Sequence, residues 1–357
     1  MITPGATGGM ESPRLPPTPN GVELKCPIII NLTNQCNKQP IQPSSRLVLW
    51  NKTIIMKKYF TLGTGLIMLI GASAQETTKK EGKPVRVFNS GKTINARTPE
   101  VTGKGKMDFN VSHNFGDLAG SNGGIKRFFG LDNAADIRIG FHIGVGKHTD
   151  LIVSRAKGAS LVQQLYEIGI KQQLMQQMES DPSRPMSIAL YFNNVISAVK
   201  SSAFPDQDNS FDNLGDRTSN VLQLILAKRF GNVSVQLNPT YLSRGHAISY
   251  DQKSLFALGG AIKLPLVPNR LNLVVDYFKV FRNQSSKDSF AVNNNIKFYN
   301  PLGIGFEVMT SGHIFRLNFT NATEILENRF IPRTVTSWGK GQFRWGFTIS
   351  RTFTLWR

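Results

Sequence analysis

Beyond Cys36 the chain has no cysteine, and its only two, Cys26 and Cys36, both precede Met56. No disulfide framework and no thiolate metal site can therefore be built in the rest of it. Long apolar runs are equally scarce, with one at residues 59–71. There is no extended block of Lys or Arg, although bases outnumber acids 42 to 23. No two of the five histidines, His113, His142, His148, His246 and His313, stand at the i, i+2 or i+4 spacing of a metal site. No stretch sustains a long amphipathic helix. "SLVQQLYEIGIKQQLMQQM" comes nearest, but its Tyr166–Ile170 core alternates like a strand.

The one apolar run lies in "MKKYFTLGTGLIMLIGASAQ", which begins at Met56. Lys57 and Lys58 give a basic start, residues 59–71 an apolar middle, and Ala72-Ser73-Ala74 a small-residue cleavage site. The run is shorter than the roughly 20 residues of a membrane-spanning helix and is interrupted by Gly63 and Gly65. The expectation is a signal peptide at 56–74, cleaved between Ala74 and Gln75. Residues 1–55 hold eight of the eighteen prolines and read as a mis-annotated or disordered extension, since a signal peptide works from the N-terminus. Residues 1–74 contain seven of the bases and two of the acids, so the remainder carries a net charge of +14. In an exported chain that balance argues against nucleic acid and for attraction to anionic lipid and lipopolysaccharide.

Residues 75–98 are polar and read as an exposed lead-in, with the barrel domain expected over 99–357. There, alternation of period two dominates. "DIRIGFHIGVG" sets Ile137, Ile139, Phe141, Ile143 and Val145 against Arg138, Gly140, His142 and Gly144. "LYEIGIK" sets Tyr166, Ile168 and Ile170 against Glu167 and Lys171. The same holds for "KMDFNVSHNF", "NVSVQLNPTYL", "RLNLVVDYFKVF", "LGIGFEV" and "HIFRLNFT", with further strands at 150–155, 186–199, 218–230 and 254–264. Long connections at 117–133, 200–217, 282–295 and 321–341 alternate with tight ones at 229–234 and 265–270. These features predict an all-β fold: a single antiparallel transmembrane barrel of about twelve strands, within a range of ten to fourteen. The aromatic last strand, Phe343, Trp345, Phe347, Ile349, Phe353, suits recognition by the barrel assembly machinery. Arg351 falls on its lipid-facing parity, a conflict that a bulge or a position near the rim would remove.

The strings "KTINARTPEVTGKGKMDFNVSHNFG", "FFGLDNAADIRIGF", "GIGFEVMTSGHIFRLNFTNA" and "WGFTISRTFTL" resemble an uncharacterised outer-membrane β-barrel family of Bacteroidetes, a domain of unknown function (DUF5777), over residues 88–357. The resemblance implies the fold and an outer-membrane location in a Gram-negative bacterium. It implies no activity, substrate or catalytic residue.

Candidate chemistry is sparse, and no cofactor is expected. "GVGKHTD" fails the Walker spacing, because Phe141 and His148 stand where Gly and Ser or Thr are required. Asp206, Asp208, Asp212 and Asp216 form an acidic loop that could attract calcium, but Phe211 replaces the turn glycine of a calcium loop and a solvated loop is expected. Ser112 and His113 are adjacent and so point to opposite faces of a strand, which gives no catalytic pair. The inward rows place Arg138, His142, Glu167, Lys171, Asp276, Glu307, Arg316 and Arg344 in the lumen, either lining a water-filled path or tied together in a network. The expected function is a non-enzymatic barrel that passes or binds small solutes or lipophilic molecules. The alternatives are a lipid-modifying barrel enzyme and a soluble secreted β-sandwich; the oligomeric state stays open.

Overall fold

The computed structural model describes residues 82–357. The expected extension 1–55, the signal segment 56–74 and its cleavage at Ala74–Gln75 lie outside these residues. Twelve strands follow in order: β1 (Lys106–Asp117), β2 (Ala134–Gly146), β3 (Thr149–Ala156), β4 (Leu165–Met175), β5 (Ser187–Ser197) and β6 (Thr218–Phe230). The second half comprises β7 (Val233–Arg244), β8 (Ser254–Val267), β9 (Leu271–Phe281), β10 (Leu302–Met309), β11 (Ile314–Thr320) and β12 (Arg344–Thr354). Each pairs antiparallel with its neighbours in sequence, and β1 pairs with β12 to close the barrel. Closure leaves no sheet edge, so every strand has a partner on both sides without a disulfide. A soluble sandwich of two sheets is thereby excluded.

The alternation sets the walls. On β2, Asp136, Arg138, His142 and Gly144 point inward and are buried, while Ile139, Phe141 and Val145 are exposed on the outside. Strands β4 and β11 repeat the arrangement. Tight turns connect β2–β3, β6–β7, β8–β9 and β10–β11 at the end where β1 begins and β12 stops. The long connections gather at the opposite end. Among the described residues no helix is long and apolar enough to cross a membrane.

Three expectations need correction. The 282–295 connection holds a helix, α1 (Gln284–Asn294), anchored by buried Phe290 against Tyr250 and Phe298. The 321–341 connection holds a second, α2 (Glu327–Arg333), whose first six residues are buried. The lead-in is exposed only at its start: Val87, Phe88 and residues 95–98 are buried. These apolar and paired polar side chains gain more from the lumen than from water.

Arg351 does face outward, as its parity requires, opposite Phe109. It sits three residues from the end of β12 with its guanidinium over the Phe353 ring, 5.2 Å from the centroid. A rim position therefore resolves its conflict with lipid. The bulge is elsewhere, in β1, where a register shift between Asn114 and Asp117 turns both side chains inward.

Candidate functional site

Two segments fill the lumen from opposite ends. The first is a strap, residues 82–105, which enters at the mouth where β1 begins and β12 ends. Its start bridges to the β4–β5 connection, Val85 N–H donating to Gln177 O at 2.8 Å. The strap then folds back on itself, with Thr93 N–H donating to Ala96 O at 2.7 Å and Thr98 N–H to Gly91 O at 3.2 Å. Glu100 closes the loop by accepting from the N–H groups of Val87 and Phe88, at 2.8 and 3.1 Å. The inward glycines make room for it. A Cβ on Gly144 would lie 1.8 Å from Gly103 O, and one on Gly303 would meet Ile94 and Asn95 of the strap tip within 3 Å.

Asp276 of β9 holds that tip. One carboxylate oxygen accepts from Thr93 Oγ1 and from the backbone N–H groups of Ile94, Asn95 and Ala96, at 2.6 to 3.2 Å; the other accepts from Asn95 Nδ2 at 2.8 Å. The second segment is the β11–β12 connection, which dips in from the long-loop end and carries α2. The two meet at Glu327. Arg97 of the strap donates to it at 2.9 Å, and Lys92 Nζ lies 3.1 Å away.

Arg97 also ties both segments to the wall. Its Nη2 donates to Glu167 of β4 at 2.8 Å, and its guanidinium lies over Tyr191, 4.5 Å from the ring centroid. Glu167 accepts further from Arg138 at 2.7 Å, Tyr191 Oη at 2.6 Å, Asn193 Nδ2 at 3.0 Å and the Ser154 hydroxyl. A buried carboxylate is tolerable only when its lone pairs are satisfied in this way. The same condition keeps Glu327 ionised. Burial disfavours its charge, but the Arg97 and Lys92 cations outweigh burial and hold the carboxyl below its usual range.

All eight lumen-facing residues named from the sequence point inward and are buried. Arg138 joins Glu167, Glu307 pairs with Arg316 at 2.6 Å, and Arg344 pairs with Asp117 at 2.7 Å. Lys171 donates to the strap carbonyl of Glu100. His142 makes no such tie; its buried Nε2 has no partner. Sequence reasoning missed Arg97, Glu327, Lys92 and the apolar half of the lumen. Inward residues of β5 to β9, including Ile225, Leu242 and Phe278, form an apolar cluster with Phe88 of the strap and Phe330 of α2. The signal was present in "VLQLILA" of β6, which is apolar on both parities.

Remaining space is small. The polar cavity beneath the strap, lined by Ser90, Asn110, Arg138, His142 and Arg316, holds about 30 Å³. That is room for a water or two. A vestibule of about 480 Å³ opens outside it, bordered by Arg86, Glu100, Lys106 and Asp108.

The other candidates are dispersed. The acidic loop engages its carboxylates separately: Asp206 with Ser249, Asp208 with Arg333, and Asp216 with Asp212 and Asn213 N–H groups. His113 faces outward and packs against the Phe115 and Phe347 rings, tilted to the first and edge-on to the second, while Ser112 faces inward to Thr348. His148, His246 and His313 meet Gln173, Gln207 and Phe315 in turn.

No curated protein matches the sequence. Several solved outer-membrane barrels are similar to the chain at low identity. The NanC porin is 7% identical, with a TM-score of 0.39, covering 70% of this chain and 100% of its own. The KdgM porin is 9% identical, with a TM-score of 0.39, covering 70% and 99%. Outer membrane phospholipase A from Escherichia coli is 11% identical, with a TM-score of 0.33, covering 69% and 91%. The sequence profile described as "Membrane bound beta barrel domain (DUF5777)" matches residues 88–353. The chain belongs to this family of membrane-bound β-barrels.

Proposed function

We propose that this protein is an exported outer-membrane barrel, not an enzyme, whose lumen is closed at rest and passes small solutes when its plug is displaced. Arg97 carries the reading. One buried guanidinium joins the strap, the α2 connection and the barrel wall through Glu327 and Glu167. On the charged side of the lumen the plug is tied by hydrogen bonds and ion pairs, which entering water can replace. Weakening a few of them opens a path without breaking the strand ladders.

The non-enzymatic reading is supported by His113, whose ring contacts are aromatic, beside a Ser112 that faces the other way. Export is supported by the pattern at 56–74. The outward aromatic row of β12 supports delivery by the barrel assembly machinery. A second reading, binding of a lipophilic molecule, is favoured by the apolar lumen wall that Phe88 and Phe330 cover.

Planar-bilayer recordings test passage. The wild type stays silent at neutral pH, and Arg97→Met or Glu327→Gln gives discrete openings. Steady wild-type conductance contradicts the closed lumen. Silence in every plug-weakened variant, each confirmed as a folded barrel by its heat-shifted gel mobility, contradicts passage.

A further inference from the structure

The outer wall carries a strict charge bias. All strand acids face inward, and the outward-facing charges on the twelve strands are four cations: Arg155, Lys228, Lys279 and Arg351. Each lies within three residues of a strand end. Three of them sit over the face of an outward aromatic ring: Arg155 over Tyr166, Lys228 over Phe230 and Arg351 over Phe353. Such cation and aromatic pairs belong at the interface between hydrocarbon and headgroups. Lys279 differs. Among the described residues no hydrogen bond, ion pair or ring engages its ammonium.

Lys279 borders a groove of about 670 Å³ on the same outer wall, across β6 to β9. Gly260 forms its floor, seventh of the fourteen residues of β8, between Leu237 of β7 and Tyr277 of β9. A Cβ at Gly260 would have no side chain nearer than 3.7 Å, so the missing side chain is what leaves the groove open. Leu258 and Ile262 form its flanks, and Lys228 is the other charged side chain pointing outward there. Pro239 of β7 lies next to it. With no N–H to donate, Pro239 interrupts the β6–β7 ladder between the Gln223–Thr240 and Leu226–Leu237 pairs.

We propose that this groove is a specific site for an anionic phospholipid, with an acyl chain over Gly260 and the phosphate on Lys279. The groove is apolar and faces hydrocarbon, so a chain fills it at no cost in polar contacts. Lys279 lies two residues beyond Tyr277 toward the long-loop end, a rise of about 7 Å along the strand. Its alkyl stem covers the groove wall while its ammonium reaches the headgroup level. A cation without a protein partner at that depth calls for an anion, and no outward acid on the strands can serve.

Native mass spectrometry of the folded barrel, titrated separately with phosphatidylglycerol and phosphatidylcholine, tests the site. The wild type retains phosphatidylglycerol about fivefold more than phosphatidylcholine, the factor one lysine contributes at an anionic surface. Lys279→Gln brings the two lipids to parity, and Gly260→Leu lowers retention of both. Equal retention of the two lipids by the wild type overturns the proposal, as does Gly260→Leu with unchanged retention. A wild-type dimer that Gly260→Leu converts to a monomer also overturns it, because the groove then holds a second copy of the chain. Lys279→Gln is an exposed change that leaves the fold intact, so the preference remains readable if Gly260→Leu folds poorly.

Discussion

Arg97→Met removes the guanidinium that joins strap, α2 and wall while keeping most of the side-chain volume. Breaking a buried ion pair by deleting one partner costs about 3–5 kcal/mol. Glu167 keeps Arg138, Tyr191, Asn193 and Ser154, so it stays well satisfied. Glu327 keeps only Lys92 as a cationic partner and takes most of the loss. The lower end, about 3 kcal/mol, is therefore the appropriate magnitude. At 1.36 kcal/mol per decade this raises the population with the strap undocked about 150-fold. Hydrogen exchange with mass-spectrometric readout measures it, because the amides of Ile94, Asn95 and Ala96 donate to Asp276 and those of Val87 and Phe88 to Glu100. Their exchange accelerates by about that factor, while the ladder amides of β6 to β8 do not change. Unchanged strap exchange, or an equal acceleration across the barrel ladders, refutes the reasoning.

Asp276→Ala removes the acceptor for five donors at the strap tip, and the exchange of residues 94–96 rises at least as much as in Arg97→Met, with the barrel still heat-modifiable. Gly303→Val places side-chain atoms where Ile94 and Asn95 sit, so thermolysin cleaves the strap in the folded barrel while the wild type resists. Plug docking weakens in acid. The Glu327 carboxyl is depressed below its usual 4.5 in the folded protein, so its contribution is complete above that pH and is lost as pH falls through the depressed value. Wild-type openings in planar bilayers accordingly appear below pH 4.5 and not between pH 6 and 8, and Glu327→Gln abolishes this acid dependence. Arg351→Leu changes the urea midpoint of barrel unfolding by less than the equivalent of about 1 kcal/mol, because the residue lies at the rim and not at midplane depth.

The barrel was legible because its rule is local. Alternation along each strand names both walls, and Ile139 against Arg138 or Ile168 against Glu167 can be read without any partner strand. Tight and long connections could likewise be sorted by their turn residues. The plug was not legible because it is held by non-local contacts. Arg97 lies 70 residues from Glu167 and 230 from Glu327, and nothing around it marks it as other than an exposed cation. The polar composition of 75–98 pointed to solvent, but a lumen wall of paired polar groups is an equally good environment for such a segment. The inward glycines at 144 and 303 were visible as a pattern. Their meaning, close passage of another backbone, needed the strap to be placed. The outward groove at Gly260 needed the register of four strands.

The closed lumen is tested most directly at Ala96, which is fully buried between strap and wall. A single cysteine there, in a chain with Cys26→Ser and Cys36→Ser, is challenged with a small maleimide in the folded barrel. A cysteine at exposed Lys340 serves as the reference. The account predicts that the Ala96→Cys thiol stays unlabelled until the barrel is heat-denatured, while the reference reacts at once. Labelling of both at the same rate in the folded protein would contradict it.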